Sequence, residues 1–90
     1  MEFEWDERKR LANLAKHGVD FRRVSMVFLL LHIAERDERA DYQEQRWRAV
    51  GRLGSEYFVV VYTLRGEVIR IISAWKGGRR DQARYQTIYD

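Results

Sequence analysis

Cysteine is absent from this 90-residue chain. That excludes a disulfide framework and any thiolate metal site, and nothing here argues for a secreted protein. Long apolar runs are missing too. The longest aliphatic-rich stretch, Met26 to Leu31, has six residues, far short of the roughly 20 that a membrane-spanning helix needs. The opening Met1-Glu2-Phe3-Glu4-Trp5-Asp6 lacks the basic start and apolar core of a signal peptide. The expected address is the cytoplasm. The six glycines form neither a phosphate-binding loop nor a dinucleotide fingerprint. His17 and His32, the only histidines, are too far apart to read as a metal site. No Ser-His-Asp order, internal repeat or low-complexity tract is present, and no cofactor is expected.

What is there reads as a single domain over residues 1–90, 46% hydrophobic and 34% charged, which is globular rather than disordered. The formal charge is only +3, but it is unevenly spread. Residues 65 to 85 hold Arg65, Arg70, Lys76, Arg79, Arg80 and Arg84 against Glu67 and Asp81. Of the 17 cations, 14 are arginine, whose planar fork grips phosphate and stacks on bases.

Local signals place the elements. Phe3-Glu4-Trp5 alternates like a short strand. Asp6 is a good N-cap, and Lys16-His17-Gly18 ends a helix expected over Glu7 to His17, with Leu11, Leu14 and Ala15 at helical spacing. Asp20 caps a second helix with the stripe Phe21, Val24, Phe28 and Leu31. The run Phe28 to Leu31 leaves its end ambiguous. Either the helix is deeply buried there, or the chain turns into a strand near His32-Ile33-Ala34, and the turn is the favoured reading. Arg36 to Gln45 is charged and aperiodic, an expected exposed loop, with the acids of residues 35 to 44 solvated. Strands follow at Arg46–Arg52, Tyr57–Leu64 and Val68–Ala74. A closing helix is expected from Arg79 to Tyr89, with Ala83, Tyr85 and Ile88 inward. The class is α+β: a small antiparallel sheet with helices against one face.

Three clusters could carry chemistry. The chain passes from the buriable run Ile69 to Ala74 straight into Trp75, Lys76, Gly77, Gly78, Arg79 and Arg80. Strand ends carry functional groups on a rigid scaffold, and cations there suit phosphate. Arg79 and Arg80 also stand at a helix start, against the macrodipole, which hints at a shared anion. Arg46, Arg48 and Arg52 share one strand face, and with Tyr57 and Tyr62 they suggest an RNA-backbone track. The alternative is ordinary solvent-face decoration. His17 can serve as an acid or base near neutrality or merely cap the helix.

Phe3-Glu4-Trp5-Asp6, then Asn13 with Lys16-His17-Gly18-Val19 and Phe21, resembles the start of BrnT-type toxins. Val50-Gly51-Arg52, Val59-Val60-Val61-Tyr62-Thr63, Arg70-Ile71-Ile72-Ser73-Ala74 and Arg84-Tyr85 extend the resemblance over nearly the whole chain. It implies the toxin half of a type II toxin–antitoxin pair, with a RelE-like fold: an antiparallel sheet packed by two N-terminal helices with a C-terminal helix. It implies a ribonuclease that arrests translation and is neutralised by a BrnA-type antitoxin carrying a DNA-binding domain. Two departures stand out. The family pattern commonly has Arg directly after Ser-Ala, where this chain has Trp75 and then Lys76. Relatives often have an Asp-Asp-Pro turn where this chain has Leu29-Leu30-Leu31, an apolar trio that would suit a partner.

The expected activity is metal-independent RNA cleavage. Lys76, Arg79, Arg52, His17 and Tyr85 are the catalytic candidates, and Arg46, Arg48, Arg52, Arg70, Trp75 and Arg80 the RNA-binding ones. Lys76 holds phosphate or moves a proton; His17 and Tyr85 are proton-transfer candidates. A silent antitoxin- or nucleic-acid-binding module is the alternative, and a homodimer within the toxin–antitoxin complex is left open.

Overall fold

Asp6 and Gly18 bound the first helix as their chemistry requires. In the computed structural model, which describes residues 1–90, the Asp6 carboxylate accepts from the Arg8 and Lys9 amides at 2.8 and 3.4 Å. Gly18, at φ 68°, donates back to the Leu14 carbonyl at the other end. Helix α1 therefore spans Glu7–His17, as the caps predicted. The short strand β1, Glu2–Glu4, precedes it.

The second helix is shorter than its stripe suggested. Helix α2 covers only Phe21–Val24 and tightens into a 3-10 segment, Ser25–Leu29. The chain then enters β2 at His32–Arg36, so the turn reading is the one realised. Strands β3, β4 and β5 follow at Trp47–Leu53, Glu56–Arg65 and Val68–Lys76. Helix α3 runs Arg79–Tyr89.

The five strands lie in the order β1-β5-β4-β3-β2. Three pairings are antiparallel, but β1 runs parallel to β5, matching Glu2 with Val68 through Glu4 with Arg70. The sheet is thus mixed rather than antiparallel throughout. Its two faces are also both covered. One face packs Ala49, Phe58, Val60, Tyr62, Ile69, Ile71 and Ala74 against Phe21, Val24, Val27 and Phe28. Phe28 is the hub, edge-on to Tyr62 at 4.8 Å and tilted against Phe3 at 5.8 Å. A Cβ at Gly51 would collide with the Val27 side chain, so the 3-10 segment seats on a strand position that only glycine leaves open.

Helix α3 crosses the other face, where Tyr85 packs edge-on against Tyr57 at 5.6 Å. Of the three residues expected inward, only Tyr85 is buried; Ala83 and Ile88 are exposed. Polar contacts hold the helix instead. Tyr85 and Tyr89 hydroxyls donate to the Leu31 and His32 carbonyls, and Arg84 grips Glu35 with both nitrogens. Glu35 is therefore not a solvated loop acid.

Helix α1 docks by polar residues as well. Leu11 and Leu14 are 53% and 39% exposed, while Arg10 and Asn13 are buried, the reverse of the expected stripe. Arg10 Nη1 donates to both Asp20 oxygens at 3.1–3.2 Å, tying α1 to the cap of α2. The Asn13 side chain donates to the Val19 and Ala74 carbonyls at 2.9 and 2.8 Å and accepts from the Ala74 amide at 3.1 Å. Strand β1 reaches only to Arg70, so beyond it the outer edge of β5 would be bare. One amide side chain substitutes there for a neighbouring strand.

Asn13→Ala strands these buried groups, each costing about 1–3 kcal/mol. The variant should melt on the order of 10 °C lower, with Asn13→Asp no rescue because the donor is lost; an unchanged thermal midpoint would show the clamp to be dispensable. The Arg84 and Arg48 guanidiniums hold Glu35 below the usual carboxylate range, against the opposing effect of burial. A depressed folded pKa gives stability that is full above the unfolded value and fades as pH falls through the folded one. Amide exchange in α3 should therefore quicken as pH drops below about 4, once normalised for intrinsic rates. Glu35→Gln should flatten that dependence.

Candidate active-site groove

The bulge in the β4–β5 pairing decides what faces the groove. Up to Val61 the register matches Val61 with Ser73 and Val59 with Trp75; beyond it, Tyr62 meets Ile71, leaving Ile72 as the extra residue. By plain alternation, Ser73 and Trp75 would follow Ile69 and Ile71 into the core. The added residue turns them to the opposite face and gives Ala74 the core position.

There Ser73 and Trp75, with Lys76 at the end of the strand, meet the last residues of α1. An open groove of about 770 Å³ is lined by Lys16, His17, Arg39, Ser73, Trp75 and Lys76. Three of the six are permanent cations, one is a histidine, and none is a carboxylate. The His17 ring lies 6.3 Å from the Trp75 ring. Arg39 sets its guanidinium 5.3 Å over the other participant, the Trp75 indole. Asn13 stands one helical turn before His17 and bonds to the residue before Trp75, so a single clamp registers both walls. Lys76 is 66% exposed, with its Nζ 3.5 Å from Glu56. At that exposure the pair leaves the ammonium available to an anion.

Of the residues singled out from sequence, His17, Trp75 and Lys76 come together in this groove. His17 and Lys76, for which the sequence offered no link, share its lining. The other candidates lie elsewhere. Arg79 is exposed at the first position of α3 and lines no cavity, although only Gly77 and Gly78 separate it from Lys76. At the α3 start the Gly78 amide donates to the Asp81 carboxylate at 3.0 Å, which places an acid in the first turn beside Arg79 and Arg80. Arg80 and Arg48 line a second cleft of about 430 Å³ with Glu35, Asp81 and Arg84. Arg48 bonds Glu35 at 3.1 Å, and its Nε is buried without a partner.

The expected arginine ribbon is not presented to solvent. Arg48 and Arg52 do share a face, but it is the face that α3 crosses. Arg52 is forked on Asp90 at 2.9 and 3.2 Å and stacked 5.0 Å over Tyr85; the Asp90 contact foremost raises its pKa further. Arg46 bonds Glu44 and lies 4.1 Å over Tyr42. Arg70 is paired with Glu4 across the β1–β5 junction. Tyr57 and Tyr62 are buried on opposite faces, so neither is a platform for a base. Tyr85 is 4% exposed and its hydroxyl is engaged by Leu31, under α3 and outside the groove lining.

Sequence reasoning passed over Arg39, Lys16 and Ser73. Lys16 was read with the helix end, and Ser73 could not be told from core without the bulge. Arg39 falls in the segment read as an exposed loop. That segment is more ordered in its contacts than its composition suggests, since the Asp37 side chain is fully buried and Thr63 Oγ1 donates to the Gln45 carbonyl at 2.8 Å.

No curated protein matches the chain. A family model does, over residues 5–81, described as the ribonuclease toxin BrnT of type II toxin–antitoxin systems. The matched span contains α1, the whole sheet from β2 onward and every residue of the groove. The chain belongs to the BrnT family of ribonuclease toxins.

Proposed function

We propose that the groove between the end of α1 and the end of β5 is where this toxin cuts RNA, and that it does so without a metal ion. One observation carries the reading: a histidine, three cations and an indole converge there with no carboxylate in the lining. A single-stranded RNA backbone is the polyanion such a lining suits, and unpaired bases stack on indoles.

The chemistry follows from the residues. The ribose 2′-oxygen loses its proton and attacks the adjacent phosphorus. The phosphorane carries an added negative charge, and the 5′-oxygen leaves with a proton. His17 is the proton-transfer group, since imidazole exchanges protons near neutrality. Lys76 and Lys16 hold the equatorial oxygens, where fixed cations act most strongly on charge that develops in the transition state. Trp75 stacks on a flanking base. The products are a 2′,3′-cyclic phosphate and a 5′-hydroxyl.

A mixed sheet with two N-terminal helices and a C-terminal one is compatible with a RelE-like fold. Membership of a toxin–antitoxin family implies a protein antitoxin, which we take to be of BrnA type. Leu29, Leu30 and Leu31, each more than half exposed beside edge strand β2, support a protein partner. A homodimer within that complex is part of the same reading. No helix is long and apolar enough to cross a membrane, and a target in cellular RNA favours the cytoplasm.

The test uses the full chain, freed of any partner, on RNA in EDTA with and without ribosomes. Lys76→Ala and His17→Ala should each lower kcat/KM by about 10²–10⁴, with fragments ending in cyclic phosphate. Wild-type rates in both folded variants would remove the groove from the mechanism. Loss of cleavage in EDTA that is restored by magnesium would remove the metal-free chemistry.

A further inference from the structure

Arg39 is the one groove cation whose direction is fixed by a buried partner. Asp37, two residues earlier, has a fully buried side chain. Its Oδ1 accepts from Arg39 Nε at 2.7 Å and from the Arg39 amide at 3.4 Å, and its Oδ2 from Nη2 at 2.9 Å. The Asp37 amide in turn donates to the Arg46 carbonyl at 2.8 Å, which closes the loop at its base. The guanidinium lies 5.3 Å over the Trp75 ring, and the Tyr42 hydroxyl is a further neighbour. Its side chain is half exposed.

A guanidinium has five N–H groups in a rigid fork. Asp37 takes the edge formed by Nε and Nη2. The edge formed by Nη1 and the second Nη2 hydrogen has no carboxylate on it, and the residue lines a groove with no carboxylate of its own. This differs from Arg48, Arg52 and Arg84, each committed to an acid against the sheet. It also differs from Lys16 and Lys76, which are long flexible point charges.

We propose that Arg39 is the residue that grips the substrate phosphate bidentately in the groove, with Asp37 as the buried positioning residue that aims it and Trp75 as the surface it rests on. The proposal rests on the groove being the RNA site. It makes the loop between β2 and β3 part of the active site. It also gives the groove a directional phosphate fork alongside its lysines, which favours an in-line geometry at one phosphate over general attraction to the backbone.

The experiment reads binding and cleavage separately. Binding uses a short single-stranded DNA, which lacks the 2′-hydroxyl and cannot be cut, titrated across a salt series. Arg39→Ala should weaken it and lower the salt slope by about 0.7, the value of one phosphate contact on a single strand; Arg39→Lys should restore the slope. On RNA, Arg39→Ala should lower kcat/KM by about 30-fold or more, with Arg39→Lys recovering only part because the fork is gone. Asp37→Asn keeps the Arg39 charge and removes only the carboxylate that aims it, so it should keep the slope yet lose about 10-fold in kcat/KM. The Asp37→Asn, Arg39→Ala double variant should be no slower than Arg39→Ala, a non-additivity that a merely structural aspartate would not produce. It also avoids leaving a buried carboxylate alone if Arg39→Ala folds poorly. An unchanged slope in Arg39→Ala, beside a reduced one in Lys76→Ala, overturns the role of Arg39 and leaves the groove standing. Unchanged slopes in both overturn the two together.

Discussion

The Asn13 amide, bonded to both backbone groups of Ala74 and to the Val19 carbonyl, is the interaction on which the rest is registered. It fixes the axial position of α1 against β5, which places His17 opposite Trp75. It ties the turn after α1 to the same point, from which Asp20 starts α2 and receives Arg10. It also closes a sheet edge that β1, with three residues, is too short to cover. A buried side-chain amide that satisfies three backbone groups is worth far more than a surface contact, because each would otherwise be left dry and unpaired.

The groove depends on a second constraint, the bulge at Ile72. It moves Ser73 and Trp75 out of the core and onto the face where Arg39 arrives from another loop. The electrostatics then separate two kinds of arginine. Arg48, Arg52, Arg70 and Arg84 are matched to acids distant in sequence and hold elements together, while Arg46 pairs locally with Glu44. Arg39 in the groove is paired too, but with a buried aspartate outside the lining, and Lys76 stays largely exposed beside Glu56. A mild net charge of +3 therefore conceals a local cluster of cations in the groove.

Much of the fold was legible because it is written in local chemistry. Asp6 and Gly18 bound α1 at the residues expected, and alternation with turn glycines placed β3, β4 and β5 to within a few residues. The contact edges of the elements were not legible. Asn13 and Arg10 are buried where Leu11 and Leu14 were expected, because tertiary hydrogen bonds outweigh the weak apolar stripe of α1. The parallel β1 and the opposite-face α3 are long-range choices that no local signal encodes. In the site, His17, Trp75 and Lys76 were visible as residue types, but their meeting was not. Arg52 and Tyr85 looked available only because Asp90 and Leu31 lie 38 and 54 residues away in sequence. Arg39 was hidden in a charged loop, where a burial that makes Asp37 informative cannot be read.

On the proposed mechanism, single-stranded RNA lies along the groove beside Trp75 rather than over the arginine-rich cleft at α3. Chemical-shift mapping of the isotope-labelled chain with a short 2′-O-methyl RNA, which binds but cannot be cleaved, tests it directly. The Trp75 indole, with His17, Ser73 and Lys76, should shift in fast or intermediate exchange as the RNA is added. Shifts confined to Arg48, Arg80 and Arg84, with the Trp75 indole unmoved, would contradict it.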